Sequence, residues 1–373
     1  MILGKLIKQS GGYKAFIPEY FPPPSLLDFS KEILAKAALA ERLIGKLDGI
    51  SQTLPDAEYF LSMYVAKDAT YSSQIEGTRA TLMDALELEA GVQAKETDAD
   101  DILFYINALN YGMKRLKKFP LSLRFVRELH KELMTGARTS QYSDPGAFRR
   151  SQNWIGGTKP DNAAFVPPPP DEMNKALADW EKFVHQQNLV PVIQAALIHA
   201  QFETIHPFLD GNGRTGRLLI TLFLYERAVL EKPVLFLSSY FKKHQQVYYN
   251  RLNDYHNSKA VPWIDFFLDG IIETAQASIA VSKKINQLRE ADLQKIQRLG
   301  KREAASGLLL LQQLFKTPIV TASSVAAHTG FSRLGAQKVI DRFIAMDILK
   351  PKDETTKYGK TYIYKKYVGV FNE

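Results

Sequence analysis

Residues 205–217 read Ile-His-Pro-Phe-Leu-Asp-Gly-Asn-Gly-Arg-Thr-Gly-Arg, and no other stretch limits the fold as sharply. They bring together an imidazole (His206), a carboxylate four positions on (Asp210), a Gly-Asn-Gly turn, and two arginines three apart (Arg214 and Arg217) ahead of an apolar segment. Glycines let backbone N–H groups approach an anion closely. A helix beginning near Thr215 turns its positive end to the same place, and the arginines add full charges. The run therefore demands a loop entering a helix N-terminus, and it reads as a polyphosphate site. Asp210 is a hard oxygen ligand of the kind Mg²⁺ shares with phosphate oxygens. His206 is a general base suited to neutral pH.

Other readings of the same letters fail on context. The stretch 211–216 formally fits G-x-G-x-x-G, but a dinucleotide site needs a strand before it, and 192–205 is helical by pattern with no β-branched run. No G-x-x-x-x-G-K-[ST] occurs. His199, Glu203 and His206 do not form a zincin site, which requires histidines at i and i+4. His199 and Glu203 read instead as a structural pair on a buried helix. The chain has no Cys, which excludes a disulfide scaffold, thiolate zinc, an iron–sulfur cluster and a Cys nucleophile.

The rest of the chain reads as mainly helical. A length of 373 residues suggests two or three domains, and 45% apolar content is ordinary for a globular protein. An extended, proline-rich segment (13–24) precedes a helical pattern ending near Gly49. Further helices are expected from about Asp56 through Ser73, after Gly77–Thr78, at 101–117 and at 121–136, with an acidic loop at 96–101. The stretch 141–170 breaks the rhythm. Its two short β-prone runs, separated by Gly and Pro-Asp-Asn, predict a hairpin, and so long a loop is usually functional. Helices resume at 171–187, 192–205, 215–230 and about 260–300. From Ser306 the order is helix, short helix, turn, longer helix and two-stranded ribbon (348–350 and 361–370), which is the winged-helix order.

Charge is concentrated at that end. Of 48 Lys and Arg against 40 Asp and Glu, residues 301–373 hold 12 against six. Ser332 caps the expected recognition helix, with Ala336, Val339, Ile340, Phe343 and Ile344 inward. Arg333, Gln337, Lys338 and Arg342 lie on its other faces. Lys352, Lys357 and Lys360 fall in the ribbon turn, and Lys365 and Lys366 on the last strand. DNA is thus an expected partner of this module, although winged helices also serve as packing or protein-docking units. The N-terminus has no signal-like apolar core and no run approaches membrane-span length, so a cytoplasmic protein with no membrane partner is expected.

The run His206–Arg217 resembles the Fic motif, HPFx[D/E]GNGRxxR, of the Fic/Doc proteins, with every defining position matched: His206, Pro207, Phe208, Asp210, Gly211, Asn212, Gly213, Arg214 and Arg217. The proline-rich start, the segment 72–78 and the region 154–170 are also similar to Fic proteins with an N-terminal associated region and a C-terminal winged helix. The resemblance implies a mainly α fold: a Fic-type helical core with a short β-hairpin flap, plus a winged helix-turn-helix domain. It implies transfer of AMP from ATP to a Ser, Thr or Tyr hydroxyl of a target protein, or of the chain itself, with release of pyrophosphate. His206 would deprotonate the hydroxyl, and Asp210 would hold Mg²⁺ or Mn²⁺. Asn212 and the Gly211 and Gly213 amides would hold the α- and β-phosphates, Arg214 and Arg217 the β- and γ-phosphates, and Phe208 would anchor the loop. Thr215 and Gly216 complete the ATP-binding run. Gly213 favours AMP transfer over Doc-type phosphotransfer, where a lysine stands in its place. The hairpin would align the target by strand pairing, with Ile155, Gly156 and Gly157 near the nucleotide. Tyr240, Tyr248 and Asn250 are candidates for the adenine or ribose side, and core packing is the competing reading of the tyrosines.

Ser72, Glu76 and Gly77 match the family's [S/T]xxxE[G/N] inhibitory motif. A carboxylate set against Arg217 makes a bidentate ion pair and takes the place the γ-phosphate needs. Taken alone, Glu76 could simply end a helix, with Gly77 as its C′ residue. The implied domains are an N-terminal region with inhibitory helix (1–100), the catalytic core (101–285), a connecting helix (286–305) and the winged helix (306–373). The alternative is a DNA-binding transcriptional regulator with a vestigial or regulatory Fic domain. The intact motif argues against decay. A homodimer is left open.

Overall fold

Residues 3–53, 57–91, 98–137, 143–353 and 359–371 are described by the computed structural model. The start of the second helix at Asp56, Glu96 of the acidic loop and Lys357 lie outside them. The chain opens on a hairpin that the sequence reading took only as extended: β1 (Gly4–Lys8) pairs antiparallel with β2 (Lys14–Pro18), Gly4 opposite Pro18 and Lys8 opposite Lys14. The buried Phe16 ties it inward, donating its N–H to Val166 O at 2.9 Å.

Helices follow: α1 (Lys31–Thr53), α2 (Ala57–Ile75), α3 (Leu82–Glu89), α4 (Asp100–Leu116), α5 (Leu123–Met134), α6 (Pro170–Val184), α7 (Pro191–Ile205) and α8 (Asn212–Glu226). Thr81 and Asp84 form a capping box at the start of α3. Helix α7 is apolar almost all round, and a helix of that kind belongs in a core. Val192, Ala195, Leu197, Ile198, Phe202 and Ile205 are fully buried. Two tryptophans are anchored on it through indole N–H bonds, Trp180 to Ile198 O (2.9 Å) and Trp263 to Ala196 O (2.8 Å). Helix α8 starts at Asn212, three residues before the expected point, because Gly211 takes the left-handed conformation (φ 78°) that lets the chain turn into the helix.

Between α5 and α6 the expected hairpin is reduced to one antiparallel bridge, Ile155 with Phe165. Gly156 and Gly157, at φ 68° and 73°, and a 3₁₀ turn at Pro160–Asn162 interrupt the extended runs on either side. Helices α9 (Ser238–Lys243) and α10 (Gln245–His256) have no counterpart in the sequence reading. Helix α11 (Ala260–Gln297) then runs unbroken past position 285 and lies along α1. At 1.5 Å per residue it is about 57 Å long.

The last part comprises α12 (Lys301–Lys316), β3 (Ile319–Thr321), α13 (Ala322–Thr329), α14 (Arg333–Ala345), β4 (Lys350–Pro351), β5 (Thr361–Ile363) and α15 (Lys365–Val370). The three strands form an antiparallel sheet in the order β3-β5-β4. The final strand therefore stops at Ile363, and Lys365 and Lys366 stand on a helix rather than on the strand expected there. That helix forms because Tyr367, Val368 and then Phe371 are buried, with Phe371 edge-on against Tyr64 of α2 (centroids 5.2 Å apart). Asp292, buried on α11, accepts from Tyr364 Oη at 2.5 Å and pairs with Lys295 at 2.6 Å. Asp292→Ala strands the tyrosine hydroxyl. A cost of about 1–3 kcal/mol is expected, seen as faster amide hydrogen exchange in 301–371 before the rest of the chain.

Candidate active site

The loop between α7 and α8 is closed by side chains that bond to backbone. His206 ends α7 in the left-handed region (φ 49°), and Pro207 stops the helix there. Asn212 spans the loop, accepting from Phe208 N (2.8 Å) through Oδ1 and donating to Phe208 O (2.9 Å) through Nδ2. Asn153 donates to His206 O (3.2 Å) and Phe208 O (3.0 Å). Arg149, almost fully buried, directs its guanidinium at four carbonyls: Ser151, Pro168, Ile205 and His206. His130 stacks flat on Phe208 (centroids 3.6 Å apart, 2° between planes). It accepts from Gly146 N through Nδ1, so the Nε2–H donates to Asp210 O at 2.9 Å.

The functional side chains converge on one cavity of about 730 Å³. Glu76, Gly213 and Arg217 line one side, with His206 and Glu203 beside them. Ile155 and Gly156 come from the bridge region, and Tyr248 and Asn250 from α10. Gly213 and Arg217 share the cavity face because residues four apart on a helix do.

Arg217 is the best-held group. Its Nε donates to Ser72 Oγ (2.8 Å), and Nη2 donates to Ser72 O (2.9 Å) and to Glu76 Oε1 (2.7 Å). The ion pair is thus single-ended rather than bidentate, because Ser72 takes the other part of the guanidinium fork. The Glu76 carboxylate lies directly over Gly213, where a built Cβ would be 2.3 Å from Oε1. The two readings of Glu76 coincide. It follows the last residue of α2, Gly77 takes φ 95°, and the carboxylate still reaches Arg217.

Burial tunes the titrating groups. It pushes the His206 imidazole down to about 4, with Arg149 adding to the effect, so the base is neutral. Burial raises Glu203 to about 8 and leaves Oε1 without a hydrogen-bond partner. Burial lowers His199 to about 3, and its Nε2 meets Tyr248 Oη at 2.9 Å, with Glu203 Oε1 4.0 Å away. Burial opposes the charge on Arg217, yet Glu76 holds it protonated.

Several expected nucleotide contacts are placed elsewhere. The Asn212 side chain is committed to the Phe208 backbone. Thr215 and Gly216 are buried, and Gly216 faces α7, where a Cβ on it would lie 2.5 Å from Glu203 Oε1. Arg214 is turned toward Met134 Sδ (3.4 Å) and lies 3.9 Å from the Asp210 carboxylate. Gly157 faces Asn162. Tyr240 packs on Phe266 and against Gly270, lining a separate cavity behind α2. The sequence reading missed Arg149, Asn153 and His130, named Glu203 only as a structural partner of His199, and also missed Gln246, Tyr249, Asn253 and His256. The last four recur at helical spacing on one face of α10, which is the signal that could have found them.

Asp210 is half exposed, with Oδ1 accepting from Gly211 N at 2.6 Å. Among the described residues no cluster of three or more His, Asp or Glu could hold a metal. One hard carboxylate beside a helix N-terminus fits Mg²⁺, an ion that usually takes its remaining ligands from phosphate oxygens and water.

A buried helix pair thus leads into a helix N-terminus that opens on the cavity, with His206 beside it. Residues 120–224 match the Fic/DOC family, and residues 34–114 match the Fic/DOC family N-terminal region. The chain thus carries a Fic/DOC domain preceded by the family's N-terminal region. The protein adenylyltransferase Fic of Drosophila virilis is 31% identical over 222 residues, which are 57% of this chain and 41% of that protein. The Drosophila persimilis counterpart is 28% identical over 279 residues, 72% and 48% respectively. The chain thus spans less than half the length of these curated relatives. A Fic family protein from Desulfovibrio desulfuricans G20 shares the fold over 92% of this chain and 98% of its own, with TM-score 0.59 and 17% identity. A Fic domain containing signaling protein from Bacteroides thetaiotaomicron covers 65% of this chain and 97% of its own, with TM-score 0.53 and 20% identity.

The raised Glu203 acid has a consequence for stability. It is protonated in the fold below about pH 8 and ionised in the unfolded chain above about pH 4.5. Its contribution is therefore complete below pH 4.5 and is lost as pH rises through 8. Glu203→Gln is expected to raise the unfolding temperature relative to wild type at pH 8.5 and to gain nothing at pH 4.5, as read by thermal melts across that range.

Proposed function

We propose that this chain is a protein adenylyltransferase that moves AMP from ATP to a Ser, Thr or Tyr hydroxyl of a target protein or of itself, and that Glu76 restrains it. The observation that carries the reading is the shared wall of one cavity: neutral His206, the α8 N-terminus with Gly213 and Arg217, and the Glu76 carboxylate placed on that arginine. His206 takes the proton as the target oxygen bonds to the α-phosphorus, and the bond from phosphorus to pyrophosphate breaks. The Gly211 and Gly213 amides and the helix end favour the phosphate anion. Arg217 is the cation available to the terminal phosphates once Glu76 leaves it. Asp210 would hold Mg²⁺ or Mn²⁺, which when bound neutralises phosphate charge. The segment around Ile155 presents backbone to the target, a mode tolerant of target sequence. We read 286–305 as part of the connection and 306–373 as a winged helix serving partners or location.

Several cations of that module already have partners: Arg342 with Glu303 (2.5 Å), Lys366 with Asp347 (2.6 Å), and Lys352 with Glu87 of α3. Contact with DNA is accordingly carried less far than AMP transfer. Among the described residues, no helix is long and apolar enough to cross a membrane.

Glu76→Gly is expected to raise incorporation of label from ATP, and His206→Ala in that background should reduce it by about 10²–10⁴-fold or more. Incubation with α-labelled ATP and Mg²⁺ measures both. Labelling of the Glu76→Gly form no greater than wild type removes the inhibitory role, and His206→Ala without loss removes the mechanism.

A further inference from the structure

The last four carbonyls of a helix have no donors within it, and α2 ends one residue before Glu76. Its end is held from several directions. Arg217 donates to Ser72 O, and the backbone N–H groups of Glu76 and Thr78 donate to Ser73 O. The other two carbonyls are met from the α9–α10 junction. Lys242 Nζ donates to Gln74 O at 2.9 Å, where Gly77 N also donates, and Gln245 Nε2 donates to Ile75 O at 3.2 Å. The two donors are linked, because Lys242 Nζ also donates to Gln245 Oε1 at 3.2 Å. A cation here complements the negative end of the helix, and both acceptors of Lys242 are amide oxygens, so its charge is directed at that helix end.

We propose that Lys242, through Gln245, is a positioning residue for inhibition: it clamps the C-terminal end of α2 so that the Glu76 carboxylate stays on Arg217. Lys242 does not line the nucleotide cavity and touches none of the reacting groups; it lines the separate cavity behind α2. The case for the clamp rests on geometry. Glu76 is joined to the clamped residues by one peptide bond, while the next residue, Gly77, has open space around it and the freedom to swivel. Without the clamp, the final turn of α2 frays and the carboxylate leaves the arginine more often. The inference depends on the inhibitory reading of Glu76 given above.

The test compares label incorporation from α-labelled ATP by the full-length wild type, Lys242→Met, Lys242→Arg, Glu76→Gly and the double variant Lys242→Met/Glu76→Gly. Lys242→Met is expected to be on the order of tenfold more active than wild type, as expected for loss of one charge-assisted hydrogen bond. Lys242→Arg should stay restrained, and the double variant should match Glu76→Gly. A merely structural role would lower activity rather than raise it, and the double variant reports whether the fold and catalytic site survive the substitution. If Glu76→Gly is activated and Lys242→Met stays at the wild-type level, the clamp is overturned. It is also overturned if the double variant is much less active than Glu76→Gly, since Lys242 would then serve the fold or catalysis itself. If Glu76→Gly gains nothing, the inhibitory reading falls, and the clamp with it.

Discussion

A guanidinium removed from water must be paired and hydrogen-bonded, because an uncompensated buried charge costs several kcal/mol. Arg217 meets that condition mainly through α2: Ser72 supplies a hydroxyl and a carbonyl, and Glu76 supplies the carboxylate. The arginine is almost completely buried, whereas the Glu76 side chain is 39% exposed. The bond between the two helices is therefore asymmetric. Ser72 belongs to the permanent core of the contact, and Glu76 sits at its solvent edge, where a phosphate could take over the same cationic group. Stability and the proposed inhibition draw on one side chain but on different partners of it.

The rest of the site is rigid for a complementary reason. The loop from His206 to Gly211 is irregular backbone, and buried N–H and C=O groups need partners. Arg149, Asn153, Asn212 and His130 supply them. This network also explains the state of His206. Packing removes water from the imidazole, and the charge of Arg149, held in place by the carbonyls it binds, disfavours a second positive charge nearby. Burial thus does most to keep the base neutral, and the residue that closes the loop adds to it. Glu203, one turn back on α7, is neutral for the same loss of water, which lets an acid lie close to Gly216 without opposing the basic histidine's role.

What was legible in the sequence follows from how local each signal is. The phosphate loop was readable because its histidine, carboxylate, glycines and arginines are contiguous, and α7 because its apolar residues fall on every face. The supporting residues were not readable. Arg149 and Asn153 bond to carbonyls more than 50 positions away, and a carbonyl leaves no mark in a sequence. Asn212 was assigned to phosphate by its motif, whereas its side chain is engaged with the Phe208 backbone. Helices α9 and α10 escaped because their aromatic residues point in several directions, Phe241 to the core, Tyr248 between core and cavity, and Tyr249 to the cavity, so no single apolar face stands out. The strand expected at 361–370 is short because Tyr367 and Phe371 find burial on α2 and α12, and tertiary packing overrides the β preference of that run.

The placement of the C-terminal module changes what its charge means. As a sequence, its excess of lysine and arginine suggests an outward-facing basic surface. In the fold, part of that charge is directed inward. Lys352 pairs with Glu87 of α3, while from the other direction Lys67 of α2 donates to Phe371 O at 2.6 Å. Helix α2 is consequently gripped on two sides, by the C-terminal strap near Tyr64 and Lys67 and by Arg217 at Ser72 and Glu76. The interior turns of α2 are packed, so local opening is favoured at its end. The position of Glu76 therefore depends on contacts made by residues far from the phosphate loop in sequence.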